Sequence, residues 1–331
     1  MNENLKNVTV LYVVSASRSG STIIERILGG LDGVINVGEL RRLRDFYNEN
    51  RSAIVDPKAH AGCTCGLQIS ECAFWKDVEK EAGLDFSSVI LTSNAGVVNR
   101  TLLKFVFLLG GPGLVRWLSN YYNPFKMELE AAKTIVKIYS AISTISETRY
   151  IVDSSKMLHN YLLLKTIIPQ KIKMIALFRD GRAVTKSMIR GDRKQYYLRG
   201  KYYAEGTCVL SDDQFFRKVV LYWVKDVVFS LLFYLRTPKR QRFFVRYEDF
   251  CLNSQKMIDN MVARFRLKRS IKMRTTDSYD ISHSIGGSPS RFRPKSKKIV
   301  LDEKWRKNWN KDEHIVFNLY GRLINRILGY K

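Results

Sequence analysis

The chain has 331 residues, with 56 Lys and Arg against 31 Asp and Glu, a formal charge of +25. At 45% hydrophobic and 12% aromatic it can bury a substantial core, which excludes a disordered chain, and five cysteines in this length exclude a disulfide scaffold. The charge favours an anionic partner (nucleic acid, acidic glycan, membrane surface or a multiply charged cofactor) without choosing among them.

Asn7–Val14 (NVTVLYVV) has the length and β-branched content of a buried strand. It runs into Val-Ser-Ala, which loosely mimics a signal-peptide cleavage site. The leader Met1–Lys6 sets Glu3 against Lys6, so a positive n-region is missing, and a cytoplasmic protein is expected. Ser21–Leu31 predicts a helix with Ile23, Ile24, Ile27, Leu28 and Leu31 on one stripe. Val34–Val37 predicts a short strand, and Asp56–Trp75 a loop holding three cysteines. Phe86–Glu147 reads as an inserted helical cap, broken at Gly110-Gly111-Pro112-Gly113. The longest run without Asp, Glu, Lys or Arg is Phe86–Asn99, 14 residues. A bilayer span needs roughly 18 or more apolar residues, so no transmembrane helix is expected.

Strands are then predicted at Arg149–Val152, Ile172–Phe178 and Arg242–Val245, and helices at Met157–Ile168, Gly181–Arg190, Asp213–Leu235, Glu248–Phe265 and Asp302–Leu328. A basic loop, Arg274–Lys298, precedes the last helix. Strands alternating with helices imply a mostly parallel sheet covered on both faces, with ligands at the carboxyl ends of the strands. We expect one domain over residues 1–331.

Ser15-Ala16-Ser17-Arg18-Ser19-Gly20-Ser21-Thr22 joins the first strand to the first helix, where backbone N–H groups and a helix N-terminus form an anion cradle. Against the P-loop pattern G-x-x-x-x-G-K-[ST], Gly20 and Thr22 fit, Ser15 replaces the first glycine and Ser21 the lysine. The group that grips β- and γ-phosphates is missing, and a cation, Arg18, sits inside the loop instead. This suits one phosphate-like group with a bridging leaving oxygen. A bland Ser/Gly turn capping a helix has the same composition.

The loop resembles the 5′-phosphosulfate loop of sulfotransferases that use 3′-phosphoadenosine 5′-phosphosulfate (PAPS), in the carbohydrate and tyrosylprotein members that carry Arg followed by Ser-Gly. The resemblance continues in order through Asp153-Ser154-Ser155-Lys156, through Arg179-Asp180-Gly181-Arg182 with Ser187, and through Arg246-Tyr247-Glu248-Asp249. It ends in the late loop His283–Phe292, where Ser288 replaces the usual Asn. It implies an α/β, P-loop-like three-layer αβα fold with a mostly parallel central sheet and a helical insertion. The implied reaction is sulfuryl transfer from PAPS to a hydroxyl or, less readily, an amine, releasing 3′,5′-ADP (PAP) with no metal required.

On this resemblance Ser17, Arg18, Ser19, Gly20, Ser21 and Thr22 hold the 5′-phosphosulfate, and Arg179, Ser187 and Arg291 hold the 3′-phosphate. In-line transfer needs positioning and charge stabilisation, so Arg18 is expected at the leaving oxygen and Lys156 at the transferring group. A base must take the acceptor proton. Glu39, in a Gly-Glu element, is the first candidate and His159 the second. Each has a structural alternative: Glu39 as a partner for Arg41, Arg42 or Arg44, Arg179-Asp180 as a local ion pair, and Lys156 as a surface lysine. The preferred acceptor is a carbohydrate or glycolipid hydroxyl. The basic surface leaves peripheral membrane contact open, no specific nucleic acid is expected as partner, and the oligomeric state is undetermined.

His60-x2-Cys63-x-Cys65-x6-Cys72 has residue types that bind zinc, but not the spacing of a standard finger. Zinc, a disulfide and reduced thiols all remain open. Arg190–Tyr203 interleaves cations with tyrosines in a pattern that also suits single strands of nucleic acid. Two rival readings stand beside the sulfotransferase: a P-loop kinase or NTPase, which the missing lysine disfavours, and a non-catalytic basic protein that binds polyanions.

Overall fold

The computed structural model describes residues 8–48, 62–92, 96–189, 212–267, 283–288, 291, 300–307 and 309–331. Five strands, β1 (Thr9–Ser15), β2 (Val34–Gly38), β3 (Tyr150–Lys156), β4 (Ile172–Phe178) and β5 (Arg242–Arg246), form one sheet in the order β2-β3-β1-β4-β5. All four pairings are parallel. β1 is central, which explains why its sequence is a continuous apolar run rather than an alternating one. Val10, Tyr12 and Val14 enter the core on one face and Leu11 and Val13 the core on the other.

On the second face lie α1 (Ser21–Leu28), α9 (Tyr247–Leu252) and α10 (Ser254–Phe265), through Ile24, Leu28, Phe250 and Ile258. The first face is covered by α2 (Leu43–Tyr47), α3 (Ala73–Ala82), α4 (Val97–Ser119), α5 (Asn123–Ser146), α6 (Leu158–Ile167), α7 (Gly181–Ile189) and α8 (Asp212–Arg236). The molecule is therefore a P-loop-like αβα sandwich. The segment read as an inserted cap shares the sheet's own core: Ile138, Tyr139 and Ile142 of α5 pack with Val10, Tyr12 and Ile151. α4 breaks where the sequence places its Gly-Pro cluster, at Gly111 (φ 63°, ψ −155°) followed by Pro112. By length and composition alone, Val98–Ser119 would suffice to cross a membrane, which the count of uninterrupted apolar residues misses because Arg100, Lys104 and Arg116 punctuate it.

Several boundaries differ from expectation. β3 continues through Asp153-Ser154-Ser155 to Lys156, because the polar residues are buried and bonded: Tyr139 Oη donates to Asp153 Oδ2 at 2.5 Å, and the Ser155 N–H donates to Asp153 Oδ1 at 2.7 Å. The helix predicted over Glu248–Phe265 is two, separated at Asn253 (φ −138°, ψ 50°). The helix predicted over Asp302–Leu328 becomes a short turn at Lys304–Lys307, then α11 (Lys311–Tyr320) and α12 (Arg322–Ile327). α11 starts where Asn310 and Glu313 form a reciprocal capping box. α3 begins at Ala73, inside the predicted cysteine loop. Most of Arg274–Lys298, all of Arg190–Tyr203 and His60 lie outside the described residues.

Candidate active site

Parallel strands deliver their carboxyl ends to one edge, and the strand order fixes what meets there. Reading across, β2 ends at Gly38 before Glu39, β3 at Lys156, β1 at the Ser15–Thr22 loop, β4 at Phe178 before Arg179, and β5 at Arg246 before Tyr247. The chain leaves β1 toward β2 on one side while β4 lies on the other, so the loop opens at the crevice where such sheets bind ligands. With strands roughly 4.8 Å apart, Glu39 and Arg179 stand roughly 14 Å apart along this edge.

The loop turns through two left-handed residues, Arg18 (φ 69°) and Gly20 (φ 93°). Gly20 is required twice over: its φ disfavours a side chain, and a Cβ there would overlap the Tyr247 ring. Gly20 caps α1 with no side-chain oxygen; the Ile23 N–H donates to the Gly20 carbonyl at 3.0 Å, and the Ser21 and Thr22 N–H groups at the helix start receive no side-chain cap. Ser19, Ser21 and Thr22 are buried, and Ser17 and Arg18 half-buried. The Thr22 hydroxyl accepts from the Ser288 N–H at 3.2 Å, tying the late loop to this one.

Three expected anion-binding groups converge beside it. Arg18 Nε donates to Ser187 Oγ at 3.1 Å, and Arg179 Nη1 donates to the Arg18 carbonyl at 3.1 Å. The Arg179 guanidinium lies over the Tyr247 ring at 4.5 Å, so Tyr247 supports both the loop and the cation. Its Nη2 pairs with Asp302 Oδ2 at 3.2 Å, and its buried Nε has no hydrogen-bond partner among the described residues. A ligand anion would complete such a group. Asp180 turns away, paired with Arg182 at 2.7 Å, so Arg179-Asp180 is not a local ion pair.

On the other side, Lys156 Nζ donates to Glu39 Oε1 in a largely buried ion pair. Lys156, like Arg18, sits in the left-handed region (φ 69°), a conformation that non-glycine residues rarely adopt outside constrained sites. Burial pushes the Glu39 carboxyl up, but Lys156, with Arg42 and Arg41 behind it, outweighs burial and holds it below its ordinary value. Close by is a carboxyl that the sequence reading missed. Glu25 of α1 is fully buried, accepts from the Ser154 hydroxyl, and its Oε1 has no hydrogen-bond partner among the described residues. Burial raises its pKa from 4.5 to about 8, against the pull of Ser154 and Lys156. The two neighbouring carboxyls are thus shifted in opposite directions, the pattern by which sites separate base from acid. Nothing in the local sequence flags Glu25, which sits beside an apolar stripe like any surface glutamate.

Arg291 is buried on this side. It donates to the Gly286 and Gly62 carbonyls and lies within electrostatic reach of Glu25 and Glu39. His159 is buried in α6, and burial, with Arg100, Arg41 and Lys104, holds it well below its ordinary pKa. A cavity of about 490 Å³, lined by Arg116, Trp117, Lys133 and Ile167 among others, lies at the C-terminal end of α6. That is the far edge of the sheet from these residues.

Fold and site together define an αβα protein whose central strand leads through a Ser/Gly loop into a helix start with no side-chain cap. No protein-family model matches the chain, and no curated protein matches it significantly. Among solved structures it is similar to a sulfotransferase domain from the curacin biosynthetic pathway (15% identity, TM-score 0.46, 98% of each chain covered). A second is a sulfotransferase domain from the Synechococcus PCC 7002 olefin synthase (18% identity, TM-score 0.48, 98% of this chain and 96% of that one). A third is sulfotransferase STF1 from Mycobacterium tuberculosis H37Rv (13% identity, TM-score 0.46, 80% of this chain and 69% of that one).

Proposed function

We propose that the chain is a PAPS-dependent sulfotransferase acting on a hydroxyl acceptor, with a carbohydrate or glycolipid as the preferred class. The observation that carries this reading is the convergence of Arg18, Arg179 and Ser187 beside an uncapped helix N-terminus, one strand away from the Glu39–Lys156 pair. A donor with anionic groups at two positions needs cations and N–H donors spread along one continuous surface, and an attacking hydroxyl needs a base on the side of the transferring group.

In this reading the N–H groups of 19–22 and the Ser21 and Thr22 hydroxyls hold the 5′-phosphate, and Arg179 with Ser187 holds the 3′-phosphate. Arg18 neutralises charge on the bridging oxygen as the S–O bond breaks, and Lys156 steadies the transferring group. The acceptor oxygen forms the new S–O bond and its proton passes to the Glu39 carboxylate. Glu39 suits this task because its neighbours keep it ionised. His159 ranks behind it, facing the Arg100 and Arg41 side. For Arg291 to reach the 3′-phosphate, it would have to leave the Gly286 and Gly62 carbonyls.

Calorimetry with PAP tests the reading. Micromolar binding that is independent of added metal and clearly weakened in Arg179→Ala supports it. Binding of ATP with magnesium but not PAP would favour the kinase alternative. Salt-sensitive polyanion binding that PAP does not displace would favour the non-catalytic one.

A further inference from the structure

We propose that Cys63, Cys65, Cys72 and His283 bind one structural Zn²⁺ that clamps the late loop onto the wall of the candidate active site. The four ligand atoms all lie within 4.8 Å of one another. Cys72 Sγ is 3.7 Å from both Cys65 Sγ and Cys63 Sγ, and His283 Nδ1 is 3.3 Å from Cys72 Sγ and 3.4 Å from Cys63 Sγ. Tetrahedral zinc with Zn–S of about 2.3 Å and Zn–N of about 2.0 Å separates its sulfurs by about 3.8 Å and a sulfur from a nitrogen by about 3.5 Å. Four of the six ligand pairs are within about 0.2 Å of these separations, and the remaining two lie within 4.8 Å. Three soft sulfurs and an imidazole in a closed tetrahedron suit zinc above the oxygen-preferring cations.

The surroundings are built to hold this arrangement. Cys63 N–H donates to the Leu67 carbonyl at 2.9 Å and Gly66 N–H to the Cys63 carbonyl at 3.0 Å. This tight turn uses the left-handed Gly62 and Gly66 and brings Cys63 and Cys65 to one side. Cys72 is the N-cap of α3, so the start of that helix fixes the position of its side chain. Phe74 stacks on the His283 ring (centroids 4.6 Å apart, planes at 10°), and Trp75 Nε1 donates to the His283 carbonyl at 2.9 Å. The imidazole is therefore aimed from two directions. His283 comes from a segment 211 positions after Cys72, which is why the sequence pattern pointed to His60 instead.

The clamp has a consequence for the site. Two residues past His283, the Ile285 carbonyl accepts from the Glu39 N–H at 2.7 Å, and the Ile285 N–H donates to the Val37 carbonyl at 3.1 Å. Gly286 lies so close to Glu39 that a Cβ there would approach the Glu39 Cβ to 2.9 Å. Metal binding displaces three thiol protons and leaves a site of net charge −1. It fixes the Cys63–Cys72 loop to the strand-like segment that orients Glu39 and anchors Arg291.

The test is elemental analysis of the full-length protein, purified without added metal or chelator. One equivalent of zinc per chain is expected. It should be lost in Cys72→Ser and in His283→Ala and kept in Cys251→Ala, a cysteine outside the cluster. Should the ligand variants fail to fold, cobalt exchange into the wild-type protein replaces them: visible bands of tetrahedral cobalt–thiolate are expected. Removing the metal with a chelator should lower the melting temperature and speed hydrogen exchange in 62–72 and 283–288 together. Metal-free protein that takes up neither zinc nor cobalt, whether all five cysteines titrate as thiols or two are lost to a disulfide, would overturn the proposal.

Discussion

Arg179 reaches across 161 positions of chain to donate from Nη1 to the Arg18 carbonyl at 3.1 Å. The contact joins the ends of two adjacent parallel strands, and it places the two arginines expected to grip opposite ends of the donor on one continuous surface. Had they entered different cavities, one nucleotide could not bridge them. Because Arg179 also rests on Tyr247, and Tyr247 on Gly20, loop and cation form one packed unit.

Arg179→Ala should weaken PAP binding by about thirtyfold, the loss of charge-assisted hydrogen bonds worth about 2 kcal/mol. Arg179→Lys should recover only part, since a lysine keeps the charge but not the fork. Calorimetry on the three proteins checks this, and equal affinity in all of them would remove Arg179 from the nucleotide site.

Asp302 occupies part of the Arg179 fork and is itself substantially exposed. A phosphate arriving there must displace a carboxylate or repel it. Asp302→Asn should therefore tighten PAP binding by a few-fold, in line with the ~1 kcal/mol or less that a partly exposed ion pair contributes. Weaker binding in this variant would mean that Asp302 positions Arg179 rather than competing for it.

Glu39→Gln should lower turnover by roughly 10²–10⁴-fold while PAP affinity changes little, the signature of a lost base. Since its neighbours keep the Glu39 carboxyl below its ordinary value of 4.5, wild-type turnover should stay level as pH falls from 7 to 5. A single-turnover pH series on the wild type reads this, and near-wild-type turnover in Glu39→Gln would assign the base elsewhere.

Glu25 gives a pH dependence of the opposite sign. Its carboxyl titrates at 4.5 when exposed and at about 8 when folded. Between these values the folded chain holds a proton that the unfolded chain releases, so this group's contribution is complete below pH 4.5 and is lost as pH rises through about 8. Glu25→Gln, which mimics the protonated form, should melt close to wild type at pH 5 and several degrees above it at pH 8.5. Parallel melting curves for the two proteins from pH 5 to 8.5 would show that Glu25 is ionised in the fold.

Local sequence determined much of this protein. A β-branched run too apolar to alternate had to be a buried strand, the Gly-Pro cluster had to break α4, and a Ser-Arg-Ser-Gly-Ser-Thr stretch between strand and helix had to be a tight turn at a helix start. These follow from short-range sterics and from which side chains water rejects, and both can be read within a dozen residues. Only the tertiary structure decided that Glu25 is buried, that Glu39 pairs with Lys156, that Asp302 reaches Arg179, and that His283 joins the cysteine cluster. Those outcomes depend on strand order. Parallel pairing brings residues more than a hundred positions apart to one sheet edge, and there a carboxyl's burial and the charges facing it set its protonation, as the position of an imidazole sets whether it can ligate. No local pattern encodes either.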